Sequence, residues 1–118
     1  MMRPAPEVAV YLCREIVDMR KSIGGLSALV EQQLGLDPFQ PTLYVFCNRR
    51  RDKIKVLYWE RSGFVLWYKK LEKERFPWLR GAGESSAKMT GRELNWLLDG
   101  LDIFAMKPHA TLAFESVL

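Results

Sequence analysis

The chain has 118 residues, about one domain, which buries roughly two-thirds of its unfolded surface and so needs no metal or disulfide to fold. Hydrophobic residues make up 48% and charged residues 27%, values ordinary for a globular protein, which excludes a largely disordered chain. The formal net charge is +4, but residues 49–80 hold eleven Lys and Arg against Asp52, Glu60, Glu72 and Glu74, so the rest of the chain is net negative; a positive patch focused in this way attracts polyanions.

Ahead of the first element, "MMRPAPE" carries one cation and no cleavage-like site, and the apolar run after it, "VAVYLC", is too short for a signal peptide or a membrane span. A cytoplasmic protein with no membrane contact is expected. Residues 8–13 read as a β-rich apolar strand. Asp18 is a candidate helix cap, followed by Ile23, Leu26, Val30 and Leu34 at helical spacing, with Gly35 as the stop. Gly24 and Gly25 interrupt that pattern, so either the helix begins late or the glycines admit another backbone. "LDPFQPT" is a Pro-punctuated turn.

Three strands follow over 43–48, 53–60 and 64–71, joined by "RRRD" and "RSG", and such short links predict an antiparallel meander. In the middle strand Lys53, Lys55, Leu57 and Trp59 share one face and Ile54, Val56 and Tyr58 the other; a sheet covered by a helix on one side and partly open on the other is expected. Residues 75–89 read as a loop, rich in Gly and Ser around "GAGESS". Thr90 and Glu93 form a capping box, after which Leu94, Leu97, Leu98 and Leu101 make one stripe and Trp96 points to the solvent side. The pattern predicts one compact α+β domain over 1–104: strand, helix, three-stranded meander, C-terminal helix. The tail, 105–118, is either a short edge strand or a docking segment.

Catalytic chemistry finds little footing. His109 is the one histidine and sits beside a proline in "KPHAT", no Gly-x-Ser-x-Gly elbow is present, and the carboxylates are scattered singly. A nuclease-like helper would need residues such as Asp18, Asp37 and Asp52 around one cleft. Cys13 and Cys47 lack zinc-site spacing and read as buried free thiols, so no metal, cofactor or catalytic residue is assigned. "RKSIGG" lacks the order of a phosphate-binding loop. Arg49, Arg50 and Arg51 at a hairpin tip, with Lys53 and Lys55 behind them, supply the donors that phosphate contact requires, and Lys69 and Lys70 extend the track if they share that side. Exposed rings such as Tyr44, Trp59 or Trp67 could stack on unpaired bases. The competing explanation is structural: aromatic residues favour strands, and charged tips and edges keep sheets from aggregating.

The stretches "DMRKSIGGLSALV", "DPF", "LYVFCNRRRDKIKVLYWERSGFVLWYKKLEKERFPW" and "TGRELNWLLDGLDI" resemble, in order, the small accessory protein often called TnpB of bacterial insertion sequences of the IS66 type, a family distinct from the RNA-guided nuclease of the same name. The resemblance implies a non-enzymatic protein that assists transposition of its element while a separate, larger transposase cuts and joins DNA. On that footing DNA and the transposase are the expected partners, and Trp96 and the tail are the candidate protein contacts. The alternative is an adaptor that docks its basic patch on the transposase and touches no DNA. Many relatives have "RRGD" where this chain has "RRRD", which adds one charge and removes one flexible residue at the tip.

Overall fold

The computed structural model describes residues 3–79 and 84–105. Runs of valine, isoleucine, leucine and aromatic residues favour extended backbone, and five such segments pair into one sheet. In chain order the elements are β1 (Ala9–Cys13), α1 (Ile23–Gln32), β2 (Thr42–Cys47), β3 (Lys53–Glu60), β4 (Gly63–Lys70), β5 (Ser86–Thr90) and α2 (Gly91–Leu98). The sheet order is β4-β3-β2-β1-β5. β1 and β2 are parallel, joined through α1, and every other pairing is antiparallel. The architecture is α+β, with β2, β3 and β4 forming the expected meander.

Both faces of the sheet are covered, not one. Alternate residues on one face, among them Leu12, Val45, Ile54 and Val56, meet α2 together with Phe76 and Trp78. Those on the other, among them Tyr44, Phe46 and Leu57, meet Leu26 and Val30 of α1. A second covering layer was not legible because the loop that supplies Phe76 and Trp78 carries no periodicity. It is held by fixed polar contacts: the Trp78 indole donates to the Cys13 carbonyl at 3.1 Å, and the Phe76 amide to the Arg51 carbonyl at 2.7 Å.

Three expectations are corrected. Asp18 does not cap α1: Ser22 is the N-cap, and Asp18 instead binds the Arg20 guanidinium. The helix therefore begins late, with Gly24 and Gly25 in its first turn and no backbone crowding either of them. Gly35 does turn the chain after α1, at φ +65, and lets the Leu36 amide reach the Val30 carbonyl at 3.0 Å. Within the expected loop, Ser86–Thr90 is a strand, β5, antiparallel to β1, with Met89 buried. On α2, Leu94, Leu97 and Leu98 are buried as expected but Leu101 is exposed, because the helix ends at Leu98 and Ile103 fills the core after the chain turns. Residues 106–118, which hold His109 and all of the expected tail segment except Ala105, lie outside the described residues.

Candidate nucleic-acid interface

The tip between β2 and β3 is built by one asparagine. Asn48, nearly buried, accepts from the amides of Asp52 at 3.1 Å and Lys53 at 3.0 Å, while its own amide donates to the Asp52 carboxylate at 2.7 Å. The Arg51 amide donates to the Asn48 carbonyl at 3.0 Å and closes the turn. That hydrogen bond from Asn48, with Lys53 and Arg50 nearby, holds the Asp52 carboxyl below its ordinary pKa. A turn fixed from within leaves its outward side chains free, and Arg49 and Arg50 project exposed from it.

Facing the tip is the segment that leads from β1 to α1. The Val17 amide donates to the Cys47 carbonyl at 2.9 Å, which pins this segment against the end of β2. Between the two lies a groove of about 660 Å³. Ile16, Met19 and Arg20 line one wall, Arg49, Arg50 and Lys53 the other, and Tyr68 of β4 joins them. Asp18 also lines the groove, but Arg20 grips it through several hydrogen bonds, the shortest 2.7 Å, which draws its carboxyl pKa down to about 2 and keeps it an ion pair at neutral pH.

The sequence-derived site residues divide by strand face. Arg49, Arg50 and Lys53 meet at the groove, and Lys70 stands directly across from Lys53 in the β3–β4 register. Arg51 is half-buried, at φ +59. Lys55 shares their face but is committed internally: its ammonium donates to the carbonyls of Met19 at 2.8 Å and Lys21 at 2.9 Å, tying the two walls together. Lys69 pairs with Ile54 on the opposite face and donates to the Leu98 carbonyl at 3.0 Å at the end of α2, where a cation suits the helix dipole. Lys69 therefore lies on the other face from Arg49, Arg50 and Lys53, whereas Lys70 shares the face of Lys53.

The aromatic residues sort differently from expectation. Tyr44 is buried, its hydroxyl donating to the Asp37 carbonyl at 2.6 Å, and Trp67 packs on the core beneath α2. Trp59 joins Phe39 and Phe64 in a cluster with ring centroids 5.0 to 5.2 Å apart, at the far end of β3. Trp96 does not stand on a bare solvent face; it is half-buried and packs against the core that α2 covers. The ring in the groove is Tyr68, 50% exposed, which sequence reasoning missed. The signal was present in the "RSG" link: Glu60 opposite Gly63 fixes the register that sets Tyr68 beside Lys55.

Chemistry elsewhere is quiet. Burial raises the thiol pKa of Cys13 to about 11 and of Cys47 to about 12, so both are protonated and poor nucleophiles at neutral pH. Among the described residues no three His, Cys, Asp or Glu side chains gather into a metal-holding group, so Asp18, Asp37 and Asp52 do not share one. No helix among them is long and apolar enough to cross a membrane.

A parallel β1–α1–β2 unit extended by a meander, carrying a basic groove at one end of the sheet, defines a small α+β domain. The chain belongs to the family described as IS66 Orf2 like protein, whose profile matches residues 8–108, and is thus an accessory protein of an insertion sequence. It is 31% identical over 102 residues to the uncharacterized protein y4jC of Sinorhizobium fredii (strain NBRC 101917 / NGR234), covering 86% of each chain. It is also 30% identical over 102 residues to the uncharacterized protein y4hO of the same strain, covering 86% of this chain and 88% of that one. No solved structure matches the chain with significance.

Proposed function

We propose that this chain is a non-catalytic accessory factor in DNA transposition that contacts DNA phosphates through Arg49, Arg50 and Lys53 of the groove, with Lys70 beside Lys53 on the neighbouring strand. One observation carries the reading: Arg49, Arg50 and Lys53 line one groove, Lys70 stands across from Lys53 on the neighbouring strand, and none of the four has an ion pair among the described residues. Lys53 and Lys70 stand directly opposite each other, a like-charge pair that disfavours the sheet until an anion neutralises it. The element's transposase is the partner that would act on the DNA so held.

The test is the salt dependence of binding to duplex DNA. Replacing both Arg49 and Arg50 with alanine is expected to lower affinity and to reduce the slope of log K against log salt by about two, since each lost phosphate contact on B-DNA contributes about 0.9. An unchanged slope removes the tip from the interface.

A second reading, an adaptor docked on the transposase, is favoured by the cluster of Phe39, Trp59 and Phe64, in which Phe39 is 53% exposed, more than a core ring requires. Trp96, half-buried, is the lesser candidate for that contact. Co-purification with the transposase after nuclease treatment separates the two readings, because a contact bridged by DNA is lost and a direct one survives.

A further inference from the structure

We infer that the groove is shaped for an unpaired nucleotide, its base laid against Tyr68 and its phosphates held by Arg49, Arg50 and Lys53, so that the ligand is single-stranded or locally opened DNA rather than intact duplex. The inference rests on the nucleic-acid reading above and sharpens it.

Phosphate contact alone needs only charge, and a duplex backbone would be served by the guanidinium tip without an aromatic ring. Yet the groove contains Tyr68, half exposed, while the neighbouring rings on its sheet face are buried, as Tyr44 is, or packed among other rings, as Phe64 is. The ring is also held in place. The Lys55 ammonium lies 5.7 Å from its centroid and is itself anchored by the Met19 and Lys21 carbonyls, so the lysine braces the ring and is not available to bind phosphate. Ile16, 44% exposed, and Met19 add apolar surface to the opposite wall. An aromatic plane with apolar flanks and a cationic rim is the arrangement by which proteins hold unpaired bases, the ring stacking on the base and the cations tracking the backbone. A base within a duplex offers its face to no ring unless it is first extruded. The groove's volume of about 660 Å³ falls within the range of about 300–1,000 Å³ that houses one small ligand, and a nucleotide is of that kind.

The experiment titrates the full chain with fluorescein-labelled oligodeoxythymidylate and, separately, with a labelled blunt duplex of equal total charge, comparing wild type with Tyr68→Leu and Tyr68→Phe. Loss of one stacked base is expected to weaken single-strand binding of Tyr68→Leu about ten-fold, with duplex binding unchanged and Tyr68→Phe equal to wild type. A strand carrying aminopurine, added to the unmutated protein, supplies a readout that needs no variant: its fluorescence is expected to be quenched on binding. If both DNAs bind but Tyr68→Leu leaves single-strand affinity intact, weakens both ligands alike, or the aminopurine signal does not change, the stacking inference falls while the phosphate reading stands. If neither DNA binds at low salt, the nucleic-acid reading itself falls and this inference goes with it.

Discussion

Arg51 stands at φ +59, a conformation that L side chains adopt at a cost of about 1 kcal/mol or more and that glycine adopts freely. Glycine would be the conformationally easier residue at this point of the hairpin, and the arginine adds a charge against local strain. Arg51→Gly is expected to raise stability by about 0.5–1 kcal/mol in urea unfolding. In the same variant the salt slope of DNA binding falls by about one if Arg51 touches a phosphate and stays constant if its role is confined to the turn. Lys55 presents the opposite case, a cation doing structural service. Lys55→Met leaves the Met19 and Lys21 carbonyls without their donor and is expected to cost about 1–3 kcal/mol of stability. Arg49, Arg50 and Lys53 were legible as a group because a hairpin tip has nowhere to put long side chains but outward. Lys55 and Lys69 were not, since their partners, residues 19, 21 and 98, are remote in sequence and leave no local trace.

Among the elements, β2, β3 and β4 were legible to within a residue because alternation and short turns are local properties, and α2 was legible from its cap. The Thr90 amide donates to the Glu93 carboxylate at 2.9 Å, and the Glu93 amide to the Thr90 hydroxyl at 3.3 Å. β5 was hidden because "SAKMT" has neither strong β propensity nor alternation; it is a strand only because β1 has an open edge beside it. The junction of β5 and α2 is also where the N-terminal segment is held. The amides of Gly91 and Arg92 donate to the carbonyls of Val8 and Pro6, at 2.9 and 3.0 Å. A Cβ at position 91 would collide with the Ala5 carbonyl and crowd Val8. Gly91→Ala is thus expected to lower stability by about 1–3 kcal/mol through forced displacement of that segment, measured as a lower urea midpoint with unchanged slope.

At the scale of the whole molecule, the basic groove and the aromatic cluster lie toward opposite ends of β3, with Lys53 and Trp59 about 20 Å apart at the usual strand rise. One ligand can therefore occupy either end without blocking the other, as a protein joining DNA to a second protein would need. The uncompensated charge at the groove makes stability itself a reporter. Heparin at a hundred times its dissociation constant is expected to stabilise the fold by about 2.7 kcal/mol, a rise in Tm on the order of 10 °C, and molar salt is expected to abolish the shift. The sheet order has a different consequence, concerning how the protein is made. β1, ahead of the other strands in chain order, lies between β2 and β5, and Ala9 is opposite both Thr42 and Thr90. While the chain is still on the ribosome the β2–β3–β4 meander can close, but β1 keeps one bare edge until β5 emerges. A chain truncated before Ser86 is thus expected to leave β1 as a bare edge strand, open to pairing with another chain.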